Sequence, residues 1–263
     1  MDTVDLIIFG GQSNMQGQSE CLSESEPVAG AWEYHFLGDT MAALKNPVGE
    51  DILYSGRAGE PYTDGVDLVR WLSEHVLGSA AYGYTNLVPS FVRAYIKQRR
   101  AAVVAVHAAK GSTQIADWLP GSSGYRMLAA KAAAAIKKTA QAHRIGRIAF
   151  VWLQGESDAI LAHSKDSYKD SLRLLAGGLK EDLGVECFGI IRVGRFTGDA
   201  RDDEIIAAQD EICKEDAFFL MLTEAATELN ETPGMMNPNV PGHYSARGLE
   251  TLGALAGAAL GNA

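Results

Sequence analysis

The chain has 263 residues, of which 47% are hydrophobic and 21% are charged, a composition typical of a globular protein with a sizeable core. Its 33 acidic and 23 basic residues give a net charge of −10, and no segment gathers enough Lys and Arg to follow a phosphate backbone, which argues against nucleic-acid binding. No apolar run is long enough to span a bilayer, and the N-terminus lacks the basic start of a signal peptide. We therefore expect a cytoplasmic protein that does not bind a membrane.

Five short, nearly continuous apolar runs predict strands that are buried on both faces. In chain order they are "VDLIIFG" (4–10), "AAVVAVHA" (101–108), "RIAFVWLQ" (147–154), "CFGIIRVG" (187–194) and "AFFLML" (217–222). Segments with helical periodicity alternate with them, at 86–100, 125–142, 165–182, 202–215 and about 245–260. This alternation predicts one α/β domain over residues 1–263, in which helices cover both faces of a parallel five-stranded sheet.

Residues 19–84 interrupt the alternation of strands and helices. This stretch is dense in Gly, Pro, Ser and Asp, and it contains a short strand-like piece, "WEYHF" (32–36), without a clear helix. A connection this long is usually a functional decoration of the domain, so we interpret it as a loop-rich insert that forms a layer of binding loops.

Residues suited to chemistry cluster in the loops that follow the predicted strands, and in an open parallel sheet ligands bind at that edge. The informative loops are "GGQSNM" (10–15), "AAKGSTQ" (108–114), "LQGESDA" (153–159) and "NPNVPGHYSARG" (237–248). They bring a serine, backbone donors, an amide and a histidine to one rim. A serine in a glycine-rich turn is often only a turn former, and a phosphate-binding loop is the other functional interpretation. The stretch matches neither of the two common phosphate-loop patterns, so we consider that interpretation weak.

Taken together, "GQSNM" at 11–15, the Gly-Ser-Thr step at 111–113, "QGESDA" at 154–159 and "GHYSARG" at 242–248 resemble the SGNH-type esterases. Within them the chain is similar to the branch of acetylxylan esterases and sialic-acid O-acetylesterases. The resemblance implies a flavodoxin-like three-layer α/β/α sandwich, the SGNH hydrolase-like fold. It also implies a serine carboxylesterase that removes O-acetyl groups from a carbohydrate, or acts on another small ester, with no metal and no organic cofactor.

The same resemblance implies a role for each matched residue. Ser13 would be the nucleophile that forms the acyl-enzyme, and His243 would be the general base. The oxyanion hole would consist of the backbone N–H groups of Ser13 and Gly111 and the side-chain amide of Gln154. Glycine at 111 has no Cβ, so the main chain can approach the substrate closely.

One position departs from the pattern of this family: Val240 stands where an aspartate normally precedes the histidine by three residues. Without an acid, the imidazolium that forms during attack loses its partner. Three arrangements are open. Glu156, our preferred substitute, or Asp158 orients His243; a backbone carbonyl orients the ring and leaves a Ser–His dyad; or catalysis is weak or lost. The acids after the fifth strand, Glu224 and Glu228, are lesser candidates.

Two other classes of function are kept as alternatives. Val240 motivates a non-catalytic carbohydrate-binding protein on the same fold, although a binding protein has no special need for Ser13, Gln154 and His243 together. A nucleotide-binding domain is the other, but no phosphate loop is visible. Neither the sugar, the acyl group nor the oligomeric state can be predicted. The candidate residues for stacking on sugar rings, which core positions explain equally well, are Trp118, Tyr125, Trp32 and Tyr34.

Overall fold

The computed structural model describes residues 3–21, 23, 26–49 and 85–263. Within these ranges the strands form one seven-stranded sheet in the order β3-β2-β4-β1-β5-β6-β7. β2 and β3 pair antiparallel, and every other neighbouring pair is parallel. The strands are β1 (Thr3–Gly11), β2 (Ala31–His35), β3 (Thr40–Ala43), β4 (Ala102–Ala109), β5 (Arg144–Leu153), β6 (Cys187–Ile191) and β7 (Phe219–Thr223).

The five predicted strands are β1, β4, β5, β6 and β7, and their spatial order places the first between the second and the third. That is the 2-1-3-4-5 order of the flavodoxin-like fold, which confirms the predicted class. The predicted strand number was too low, because β2 and β3 add a hairpin beside β4. This hairpin comes from the first part of the insert and includes most of "WEYHF". Residues 22, 24, 25 and 50–84 of the insert lie outside the described part of the chain.

The helices confirm the predicted helical segments and add short ones. Ser245 caps the last helix, as its Oγ accepts a hydrogen bond of 3.1 Å from the backbone N–H of Gly248. In the described ranges, none of the helices has the length and apolar character needed to cross a bilayer. The helices are α1 (Ser13–Gln16), α2 (Val88–Arg99), α3 (Ser123–Ala140), α4 (Glu156–Ile160), α5 (Lys165–Leu183), α6 (Ala200–Glu215), α7 (Ala226–Glu231) and α8 (Ala246–Asn262).

The central position of β1 brings the candidate residues together. All residues of β1 from 4 to 11 are buried, which explains why this run is apolar without alternation. At its carboxyl end, Gly11 is in register with Ala109 of β4 on one side and Leu153 of β5 on the other. The three strands therefore end side by side, and the loops that carry Ser13, Gly111 and Gln154 start from adjacent points of the sheet edge.

Candidate active site

Ser13 is presented by a tight turn at the end of β1. Gly11 has a positive φ of 144°, and a Cβ at this position would collide with the backbone carbonyl of Leu153, so the turn requires glycine. The backbone N–H of Gln12 donates to that carbonyl oxygen over 3.1 Å, and helix α1 then starts at Ser13. Ser13 is 6% exposed. Its own N–H belongs to the first turn of a helix, where the amides have no intrahelical acceptor.

Gly111 lies next to Ser13, as predicted. A Cβ at Gly111 would lie 3.5 Å from Cβ of Ser13, in ordinary van der Waals contact. The N–H of Gly111 donates to Oε1 of Gln16 over 2.6 Å. The backbone of residue 111 thus lies beside Ser13, but its amide hydrogen already has an acceptor, the side chain of Gln16 in α1.

Gln154 is fully buried at the end of β5, and the protein itself satisfies its amide. Nε2 is 3.0 Å from both Oε1 of Gln12 and the carbonyl oxygen of Thr113, and it also contacts the carboxylate of Asp158. The hydroxyl of Tyr168 lies 2.9 Å from Oε1 of Gln154. With two hydrogens for three acceptors, Nε2 has no free N–H for an oxyanion. The predicted role of Gln154 requires one of these bonds to be exchanged for one to the substrate.

His243 lies in a loop that enters α8. Its Nδ1 is 3.0 Å from the carbonyl oxygen of Pro241, and its backbone oxygen accepts from the N–H of Asn237 over 2.7 Å. A carbonyl oxygen can only accept, so this contact assigns the proton to Nδ1 and leaves Nε2 as the basic atom. The ring of Phe196 meets the imidazole edge-on, with 6.1 Å between ring centroids. Burial lowers the pKa of His243 below its ordinary value of 6.5, against the opposing effect of the carbonyls of Pro241 and Val240.

No hydrogen bond joins Oγ of Ser13 to His243 or to any other side chain in the described ranges. Hydrogen bonds between a nucleophile and its base are often long in ligand-free sites and tighten when substrate binds, so the absence of this bond does not by itself rule out a catalytic pair.

Glu156, our preferred candidate for the acid, makes no hydrogen bond to His243 in the described part of the structure. Its side chain is 4% exposed, Oε1 accepts from Nδ2 of Asn14 over 2.7 Å, and Oε2 has no partner among the described residues. Burial raises the pKa of this carboxyl above its ordinary value. The structure thus contains the second of the three arrangements, in which a backbone carbonyl orients the imidazole.

Two of the other candidate acids, Asp158 and Glu224, have partners elsewhere. Asp158 accepts from the backbone N–H of Ile115 over 3.0 Å and lies 2.7 Å from Nδ1 of His163. Glu224 accepts from Arg192 over 3.1 Å. Among the described residues, no group of three His, Cys, Asp or Glu side chains is placed to hold a metal ion.

Asn14 is a functional candidate that the sequence analysis did not identify. Its Nδ2 donates to Glu156 and to the carbonyl oxygen of Gly242 at 3.3 Å, and its Oδ1 accepts from the N–H of Tyr244 at 3.2 Å. These two backbone partners are the neighbours of His243. The residue after Ser13 therefore holds the loop of His243 on both sides of the imidazole.

The proposed sugar-stacking aromatics are mostly core residues. Trp118, Tyr125 and Tyr34 are buried, so they cannot face a sugar at the rim. Trp32 is partly buried and stacks on the ring of His143. The partly exposed aromatic ring next to His243 is instead that of Phe196, which follows the short strand β6.

Known proteins share this fold. A solved structure from Arabidopsis thaliana aligns with a TM-score of 0.69 at 17% identity, covering 98% of this chain and 99% of that one. The structure of NanS aligns with a TM-score of 0.60 at 14% identity, covering 98% and 97% of the two chains. At such identities the likeness shows the fold alone.

Sequence comparisons extend the likeness to the family. A probable carbohydrate esterase from Arabidopsis thaliana is 31% identical over 111 residues, which are 41% of this chain and only 40% of that protein. The family model described as "carbohydrate esterase, sialic acid-specific acetylesterase" matches residues 3–260. This match confirms the resemblance first drawn from the four motifs, and the chain belongs to this family of carbohydrate esterases.

Proposed function

We propose that the protein is a serine carboxylesterase that removes O-acetyl groups from a carbohydrate, and that it works with a Ser–His dyad. The observation that carries the proposal is the link through Asn14, which ties the turn of Ser13 to both neighbours of His243. A nucleophile and a base are thereby held at the edge of the sheet where ligands bind in this fold. Membership in a family of carbohydrate esterases supports the reaction class.

The first step is acylation of Ser13. With the proton of its ring on Nδ1, His243 uses Nε2 to take the hydroxyl proton of Ser13 as Oγ attacks the acetyl carbonyl carbon. The oxyanion accepts hydrogen bonds from the backbone N–H groups of Ser13 and Gly111. At Gly111 it replaces Oε1 of Gln16 as the acceptor. The intermediate collapses when the imidazolium protonates the departing sugar oxygen, which leaves acetyl-Ser13.

The second step is hydrolysis of the acyl-enzyme. His243 takes a proton from water as the water attacks acetyl-Ser13, and the same proton returns to Oγ when acetate leaves. The burial that lowers the pKa of His243 keeps the imidazole neutral at neutral pH, as a general base requires.

The family description names an acetylesterase specific for sialic acid, and this supports an acetylated sugar as the substrate class. The net charge of −10 does not favour a strongly anionic polymer. The alternative, a non-catalytic carbohydrate-binding protein, was motivated by Val240. The carbonyl of Pro241 weakens that argument, because it occupies the position of the missing acid at Nδ1.

The test is release of 4-nitrophenol from its acetyl and butyryl esters by the wild type, Ser13→Ala and Ser90→Ala. Ser90 is a matched control, since its hydroxyl donates to the carbonyl oxygen of Leu87, the residue that precedes α2. We expect acetyl-preferring turnover that Ser90→Ala keeps and Ser13→Ala lowers by about 10⁴-fold or more, with unchanged melting temperatures. A folded wild type with no turnover above Ser13→Ala would favour the binding protein.

A further inference from the structure

We propose that Asn14 is a positioning residue of this site: its side-chain amide fixes the loop of His243 against the turn of Ser13, and the buried Glu156 fixes the orientation of that amide. The proposal deepens the proposed function and rests on it.

The amide of Asn14 uses both of its hydrogens and its oxygen. It is 2% exposed, and its three contacts go to Oε1 of Glu156 at 2.7 Å, the carbonyl of Gly242 at 3.3 Å and the N–H of Tyr244 at 3.2 Å. Two of the three partners are backbone groups that immediately flank His243. Asn14 also follows Ser13 directly in the chain. A shift of the Asn14 side chain would therefore move His243 relative to Ser13.

Glu156 selects one of the two ways in which the amide of Asn14 can be turned. A flipped amide would place Oδ1 against Oε1 of Glu156, two acceptors face to face, and its NH₂ group against the N–H of Tyr244. Neither pair can form a hydrogen bond inside a buried site, where an unsatisfied polar group is costly. Only the observed orientation satisfies Glu156, Gly242 and Tyr244 together.

This role of Glu156 depends on an accepting oxygen and not on a negative charge. Oε1 is used by Asn14, and Oε2 has no partner among the described residues. Glutamine at 156 keeps the accepting oxygen in the same place, whereas alanine removes it. The pair of substitutions therefore separates the positioning role from the role of a triad acid, for which the charge is essential.

The kinetic test compares Asn14→Ala, Glu156→Gln and Glu156→Ala with the wild type on 4-nitrophenyl acetate. Displacement of a catalytic group by about 1 Å costs on the order of 10²-fold in rate. We expect kcat to fall by about 10- to 100-fold in Asn14→Ala and Glu156→Ala at nearly unchanged KM, and Glu156→Gln to stay within about threefold of the wild type. A fall of kcat by orders of magnitude in Glu156→Gln would overturn the proposal and would indicate that the carboxylate of Glu156 acts on His243 as the triad acid.

Two further variants control for folding. Tyr95→Phe removes a buried hydrogen bond of 2.7 Å to Asp5 near the amino end of β1, far from the loops. We expect it to lower the melting temperature without changing kcat. Should Asn14→Ala not fold, Asn14→Asp preserves the shape of the side chain and the acceptor for Tyr244 but loses both donors, and we expect the same loss of kcat.

Hydrogen exchange supplies a readout that does not depend on activity. We expect the amide of Tyr244 to exchange at least about tenfold faster in Asn14→Ala than in the wild type or in Tyr95→Phe, since only this substitution removes its acceptor, Oδ1 of Asn14. Unchanged exchange at Tyr244 would overturn the positioning role even if kcat fell. If the wild type shows no turnover that depends on Ser13, the proposed esterase function is refuted. Exchange at Tyr244 would still decide the role of Asn14.

Discussion

The carbonyl oxygen of Pro241 lies 3.0 Å from Nδ1 of His243, two residues further along the same turn. The ring is thus oriented by a neutral dipole from its own loop and not by a carboxylate from elsewhere in the fold. A dipole fixes the tautomer as well as an acid does, but it stabilises the imidazolium less. The pH dependence of the reaction should report this difference.

We expect kcat/KM for 4-nitrophenyl acetate to rise with pH through a midpoint below 6.5. The base must be neutral to accept the proton of Ser13, and burial lowers the pKa of His243, so the neutral form persists into mildly acidic solution. The measurement is a profile from pH 4.5 to 8.5, with hydrolysis by Ser13→Ala subtracted. A midpoint at or above 6.5 would contradict the environment described for the imidazole.

Val240→Asp should move that midpoint to higher pH. A carboxylate three residues before His243 favours the charged imidazolium, and this raises the pKa of the histidine. Val240→Asn is the matched control, since it adds a polar side chain of the same size without the charge. If both variants shift the profile equally, charge is not the cause and the argument about the missing acid fails.

The fold was largely predictable because burial and periodicity are local properties of the sequence. The run at 4–10, for example, indicates a doubly buried strand from its own apolar residues alone. Contacts between distant loops leave no such trace. The choice of Glu156 as the acid depends on such contacts: the sheet places its loop near the site, but in the structure its Oε1 accepts from Nδ2 of Asn14 and not from His243.

The same limit applied to the other polar residues. The resemblance assigns the amide of Gln154 to the oxyanion hole, and in the structure Gln12, Thr113 and Asp158 all supply acceptors to that amide. No local pattern shows which of these acceptors a substrate would displace. The contact between the carbonyl oxygen of Pro241 and Nδ1 of His243 could not be predicted either, because the residue types around a backbone carbonyl do not show where it points.

Gly242→Ala should destabilise the protein more than Gly234→Ala. Both glycines have a positive φ, 76° and 77°, which costs about 1–2 kcal/mol for a residue with a Cβ. A Cβ at Gly234 meets nothing within 4 Å, whereas one at Gly242 would collide with the ring of Phe196. Overpacking adds about 1–3 kcal/mol, so we expect urea unfolding to show a total loss of about 2–5 kcal/mol for Gly242→Ala.

The activities of the two glycine variants should also differ. Phe196 packs edge-on against His243, so a displaced ring disturbs the base, and we expect only Gly242→Ala to lower kcat. Equal losses of stability in the two variants would show that the Phe196 ring moves aside freely.

Glu156→Gln should become more stable relative to the wild type as the pH rises. Burial raises the pKa of Glu156 in the folded state, so folding favours its proton-bound form. The contribution of Glu156 to the free energy of unfolding is fully present below the ordinary pKa of an unfolded glutamic acid. It is lost as the pH rises through the raised pKa of the folded state. Urea unfolding at pH 4 and pH 8 measures it. A wild type that gains stability over Glu156→Gln at pH 8 would reveal a partner for the carboxylate.

The hydrogen bond from Asn14 to Gly242 joins residues separated by 228 positions in the sequence. Contacts of such long sequence separation form late, since a large loop must be closed before they can contribute. During synthesis, the serine turn leaves the ribosome long before the histidine loop exists. A nascent or truncated chain that ends before residue 237 therefore carries Ser13 without His243, and we expect regain of turnover after dilution from denaturant to mark the last event of refolding.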